Sequence, residues 1–261
     1  MFKHILIAHD LRDTADLALS RASQLAIQHG AKLTLLHVTP AGQSQGQLEK
    51  AQFALDRALT HLAPSGSALR LLSGKASDVV LQELQSGEYD LLVLGGHQQR
   101  HDLFSGTSLD RIARRCTVPL LLVASSGDQP YQRAAAALDF SLCACSALSQ
   151  AHKLLPSSAN LHAVHVFEAE KGLLNQQEMQ EQLIAQLLHD EANTRPDDGP
   201  EITYEVIEGG ILRTLQDQVK QRRSELLVLG SHGRGAFSQA LLGSLAQHFL
   251  HKAPCDVLVV R

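Results

Sequence analysis

Gly230-Ser231-His232-Gly233, nine further residues and then Gly243-Ser244 follow directly on the apolar run Glu225-Leu226-Leu227-Val228-Leu229. A glycine turn that leaves a buried strand and ends at a helix start lets backbone N–H groups approach an anion with no Cβ in the way. The positive end of the helix dipole then favours the charge. The chemistry on offer is phosphate binding, with Ser244 adding a hydroxyl and the amphipathic stretch Leu241 to Leu250 supplying the helix. The competing reading is a tight strand-to-helix turn that uses glycine for geometry alone.

The elements that must position this turn occur twice. Met1 to Asp10 and Arg133 to Asp139 are short apolar strands ending in Asp, 129 positions apart. Leu35-Leu36-His37-Val38 recurs as Ala163-Val164-His165-Val166, 128 positions on, and the glycine of Asp90 to Gly95 recurs as that of Glu225 to Gly230, 135 positions on. Gly106-Thr107 recurs as Gly243-Ser244, 137 positions on. One unit has been duplicated. The drifting offset places about seven added residues between Leu173 and Pro200, and two more inside the second glycine loop, where insertions leave a sheet undisturbed. Ser125-Ser126-Gly127-Asp128-Gln129-Pro130 has the composition of a short linker, so the expected domains are 1–126 and 130–261, packed together.

Within each half, apolar runs alternate with amphipathic stretches. A helix is expected to start at Asp13, to bury Leu17, Ala18, Ala22, Leu25 and Ala26, and to stop at Gly30. Its counterpart opens at Ser141, buries Leu148, Ala151, His152 and Leu155, and closes at Pro156. Strands with few polar residues, alternating with helices, predict a parallel, doubly wound α/β sheet with ligands at the carboxyl ends of its strands.

The Gly-x2-Gly-x9-Gly-Ser spacing, the Asp closing Ala137-Leu138-Asp139, the strand-ending His165-Val166 and the closing Ala253 to Val260 resemble the universal stress protein family, over nearly the whole chain and twice. The resemblance implies two tandem Rossmann-like domains forming an intramolecular pseudo-dimer, with Leu120 to Val123 and Val257 to Val260 pairing across the halves. It also implies an adenine nucleotide, ATP or AMP, with Mg accompanying ATP. Asp139 and Val166 would hold adenine and ribose, Gly230 and Gly233 would admit ribose and phosphates, and Gly243 with Ser244 would bind the phosphate chain. By the same resemblance Ala137, Leu138, Leu229, His232 and Leu245 would belong to this site, and Arg234 would be placed to meet a terminal phosphate.

The first half keeps Asp10, Val38, Gly95, Gly106 and Thr107, but Gln98 stands where the second glycine belongs and the loop is two residues short. A side chain where backbone must touch ligand makes this a degenerate site, weak or silent toward nucleotide.

Composition narrows the partners. A net charge of −4, with no run of five like charges, argues against a nucleic-acid or membrane surface. The candidate apolar stretch Cys116 to Gly127 is twelve residues and contains Pro119, too short to span a bilayer. Asp10 and Asp13 fall where a secretory apolar region would lie, so a cytoplasmic protein is expected. Cys143 and Cys145 sit two apart on one helix and Cys116 and Cys255 near the unit ends, which reads as reduced structural thiols. His97 and His101 bracket the altered loop, but with no fixed partner ligands no metal site is assigned; His37 and His165 read as hydrogen-bonded structural residues.

The function expected is a stress-response regulator that binds nucleotide in its second half without catalysis. Against an ATPase or phosphotransferase stand the missing Gly-x4-Gly-Lys-Ser/Thr loop and the lack of a lysine in the turn; slow hydrolysis and an interaction scaffold are the alternatives. A dehydrogenase fails because Gly233-Arg234-Gly235-Ala236-Phe237-Ser238 lacks the third glycine and follows a late strand. A protein partner is implied without its identity, and the pseudo-dimer leaves room for a further homodimer.

Overall fold

The computed structural model of the chain describes residues 1–96, 107–169, 175–192, 199–233 and 242–261. The first half runs β1 (His4–Ala8), α1 (Asp13–His29), β2 (Lys32–Thr39), α2 (Gln45–Leu62), β3 (Ala68–Ser73), α3 (Ala76–Ser86), β4 (Leu91–Gly95), α4 (Thr107–Arg115) and β5 (Leu120–Val123). The second repeats it as β6 (Arg133–Leu138), α5 (Leu142–Leu154), β7 (Asn160–Phe167), α6 (Gln176–Ala192), β8 (Glu201–Glu208), α7 (Ile211–Gln221), β9 (Leu226–Gly230), α8 (Ser244–His251) and β10 (Asp256–Val260).

All ten strands form one sheet in the order β3-β2-β1-β4-β5-β10-β9-β6-β7-β8. Pairing is parallel within each half and antiparallel at the seam, where Leu120, Leu121 and Leu122 face Val259, Leu258 and Val257. The seam hides two strand edges that would otherwise invite association.

Strand alternation sorts the core by sheet face. Ile5 and Ile7 of β1 point with Leu226 and Val228 of β9 toward α1, α2, α5 and α6, while Leu6, Ala8, Leu227 and Leu229 point toward α3, α4, α7 and α8. Each hydrophobic layer therefore runs through both halves.

Helix ends follow local chemistry. Gly30 ends α1 in the left-handed region at φ 64°, and the Ser141 side chain accepts a hydrogen bond from Ala144 N at the start of α5. The expected face of α1 needs one correction, because Leu17 is 37% exposed and the buried row is Ala15, Ala18, Leu19, Ala22, Leu25 and Ala26. A helix advances about 100° per residue, so Leu17 falls beside the stripe that Ala18 and Ala22 share.

His37 Nδ1 bonds the His9 carbonyl and His165 Nδ1 bonds the Leu138 carbonyl, each at 2.7 Å, so both histidines fasten a strand end in their half. The residues after the strand-ending acids, Leu11 and Phe140, both adopt positive φ, 67° and 62°. This is an uncommon conformation for residues with a Cβ, and it recurs at equivalent turns of the two halves.

A polar cluster ties the halves together beneath the linker. Asp256, fully buried at the start of β10, accepts hydrogen bonds from Ala124 N, Ser125 N, Ser125 Oγ and the Tyr131 hydroxyl. Arg21 of α1 lies 3.6 Å from Asp256, stacks 4.0 Å over the Tyr131 ring and donates to the Gln129 carbonyl.

Candidate functional site

In each half the strand order reverses beside the first strand, between β1 and β4 and between β6 and β9. At such a point the loops leaving adjacent strands diverge to opposite faces and open a crevice at the carboxyl ends. In the second half the crevice is a cavity of about 530 Å³.

Eleven of the twelve residues anticipated for the second-half site line it. Ala137, Leu138 and Asp139 come from the end of β6, Val166 from β7, Leu229 and Gly230 from β9, His232 and Gly233 from the turn, and Gly243, Ser244 and Leu245 from the start of α8. The twelfth, Arg234, lies outside the described residues.

Asp139 is oriented by its own turn, since Oδ1 accepts from Ser141 N at 3.0 Å and from the Ser141 hydroxyl. Oδ2 points to Gly233, where an added Cβ would approach to 2.6 Å. Glycine at 233 therefore keeps space around the carboxylate. Gly230 answers a different demand. A Cβ there would lie 2.9 Å from Ala144 N, so this glycine lets β9 pack against the first turn of α5.

The start of α8 opens onto the cavity with free backbone donors of its first turn. Gly243 occupies its N-cap position with no side-chain cap, and Gly243 N is committed to the Ser231 carbonyl at 2.7 Å. The N–H groups of Ser244, Leu245 and Ala246 follow in the first turn, where a helix has no acceptors of its own. All three residues line the cavity.

Further lining residues went unforeseen: Ala144, Val164, Ile211, Leu212, Leu215, Ala246 and His248. Ile211 and Leu212 remain 46% and 37% exposed because they stand at the mouth. Their signal was present in Gly209-Gly210, which ends the preceding strand and starts α7 with Gly210 at its N-cap, but apolar residues at helical spacing read equally well as core. His248 of α8 meets Gln216 of α7 at 3.3 Å, linking the two helices that flank the opening.

In the first half, Asp10, Val38 and Gly95 are buried at the equivalent strand ends. A Cβ on Gly95 would lie 2.7 Å from the Thr14 carbonyl, so this glycine repeats the packing role of Gly230. Thr107 begins α4; Gly106, Gln98, His97 and His101 lie outside the described residues. A cavity of about 300 Å³ in this half opens elsewhere, between α1 and α2, and is bordered by His9, Asp16, Arg57 and His61. His9 lies 3.0 Å from Asp16, and its burial pushes its pKa down while Asp16 pulls it up. Among the described residues no group of three metal-ligating side chains converges, and no helix is long and apolar enough to cross a membrane.

Known proteins match this architecture. The model of the universal stress protein family matches residues 1–124 and again 130–261. A universal stress protein A homologue of Haemophilus ducreyi is 28% identical over 137 residues, 47% of this chain and 96% of that protein. A universal stress protein of Thermus aquaticus is 29% identical over 136 residues, 47% of this chain and 99% of that protein. A crystal structure of a universal stress protein from Archaeoglobus fulgidus superposes over 99% of this chain and 98% of its own, with a TM-score of 0.73 at 17% identity, which is a likeness of fold. With its family model matched once in each half, the chain belongs to the universal stress protein family as a tandem of two units.

Proposed function

We propose that the second half binds an adenine nucleotide, ATP or AMP, in the cavity between β6 and β9, and that the chain works in the cytoplasm as a nucleotide-dependent regulatory module in a stress response. The observation that carries this reading is convergence: an oriented carboxylate, an apolar slot and an uncapped helix N-terminus share one cavity. The volume suits a small ligand. Ala137, Val164, Val166 and Leu215 offer apolar walls for a flat base, and Asp139 offers an acceptor for a ribose hydroxyl. The α8 N-terminus offers backbone donors to phosphate oxygens, whose charge the helix dipole favours. Mg would accompany ATP through phosphate oxygens. The first half supplies the partner strand β5 and acts as the second member of a pseudo-dimer within one chain.

Calorimetric titration of the full chain with ATP and with AMP, each with and without Mg, tests the reading. Binding of about one equivalent is expected, as for a single site, together with a raised thermal midpoint at saturation. Absence of heat and of any midpoint shift at millimolar nucleotide would leave the cavity without this function.

A further inference from the structure

Beside the cavity a nucleophile stands against a base. Cys143 is the second residue of α5, and its Sγ lies 3.4 Å from His232 Nε2. The other ring nitrogen, Nδ1, lies 3.0 Å from Ser231 Oγ, on a residue 2% exposed. With Nδ1–H donating to that hydroxyl oxygen, Nε2 turns its lone pair toward the thiol, an arrangement in which a third group orients the base that activates a nucleophile.

Selectivity favours this sulfur over two of the other three thiols. Cys143 is 9% exposed, and both Ala144 and His232, on either side of it, line the cavity. Burial pushes the Cys116 thiol up to about 11 and the Cys255 thiol up to about 12, which keeps both protonated and inert near neutral pH. Cys145 is half-buried on the same helix and serves as the internal competitor.

We infer that Cys143 is a modification site that takes a low-molecular-weight disulfide by thiol–disulfide exchange, with His232 as the base. The Cys143 proton passes to His232 Nε2, and the thiolate attacks one sulfur of the disulfide. A new S–S bond forms at Cys143 as the reagent's S–S bond breaks, and the leaving thiolate takes the proton from the imidazolium. Cys143 is oxidised and half of the reagent is reduced to free thiol, so the step balances with the disulfide as oxidant. The expectation of four structural thiols is thereby revised at one position. An adduct would also crowd the cavity against a nucleotide; that consequence rests on the function proposed above.

The test incubates the full chain with oxidised glutathione and reads intact mass and peptide maps over time. A single adduct on Cys143 is expected, reversed by dithiothreitol and absent from both Cys143→Ser and Cys143→Ala. His232→Gln, checked for an unchanged thermal midpoint, should slow its formation tenfold or more, in the range that a positioned base contributes. An adduct on Cys145 alone, no adduct in excess reagent, or a wild-type rate in His232→Gln would each overturn the proposal. Saturating AMP should slow the reaction; an adduct on Cys143 that AMP leaves unslowed would count against nucleotide occupancy of the cavity while leaving the thiol site in place.

Discussion

Asp256→Asn probes the seam at its most buried point. The carboxylate is 0% exposed, holds four hydrogen-bond donors drawn from residues 124 to 131, and faces Arg21, itself 4% exposed, at 3.6 Å. The amide keeps one acceptor oxygen for Ala124 and Ser125, but presents N–H groups to the Tyr131 hydroxyl and removes the charge opposite Arg21. Leaving one member of a buried pair uncompensated costs about 3–5 kcal/mol, a large share of the roughly 5–15 kcal/mol that holds a domain folded. Arg21→Met should cost less, because Asp256 retains its four donors. The double variant should lose less than the two single losses added, with a coupling of about 0.5–3 kcal/mol. Urea unfolding followed by circular dichroism measures all four corners of the cycle, and limited proteolysis should cut the 124–131 segment faster in Asp256→Asn. A loss below about 1 kcal/mol in Asp256→Asn, or strict additivity with Arg21→Met, would refute the claim that this cluster couples the halves.

Two further outcomes are expected. Gly233→Ala places a Cβ 2.6 Å from Asp139 Oδ2, so nucleotide affinity should fall about 10- to 100-fold, the equivalent of one hydrogen bond to a charged group at about 1.5–3 kcal/mol; calorimetric affinity equal to wild type would sink that account of the glycine. Burial holds His4, His9, His29 and His162 below their usual 6.5. As pH falls the unfolded chain takes up those protons first, so their stability is present above 6.5 and is lost as pH drops through the lower folded values. The thermal midpoint should therefore decline from pH 7.5 to 5.5, and less steeply in His9→Gln; a flat wild-type profile would contradict the burial argument.

Much of this molecule is legible in one dimension because its signals are periodic or repeated. The all-apolar Ile5-Leu6-Ile7-Ala8 marks a strand covered on both faces, and the doubled Asp, His-Val and Gly-Ser/Thr landmarks mark carboxyl ends of strands in each half. What stays illegible is contact between residues that share no pattern. Asp256 meets Tyr131 across 125 positions, and Cys143 meets His232 across 89, in both cases without a repeat partner to announce the pairing. Ile211 and Leu215 line a cavity with the same helical spacing that other residues use to fill a core. Even a well-placed glycine conceals its reason, since Gly230 yields to the α5 backbone and Gly233 to a carboxylate.

Those two reasons explain how the halves could diverge. The strand glycine that packs against a helix persists in both, as Gly95 and Gly230, because replacing it would push a strand off its helix in either half. The loop glycine is present only as Gly233, with Gln98 at the first-half position. Among the described residues the joining of the halves rests on Leu120 to Leu122 against Val257 to Val259, on hydrophobic layers common to both units, and on Asp256 beneath the linker. None of these residues belongs to a glycine loop, so these described contacts between the halves do not depend on whether position 98 carries glycine or glutamine.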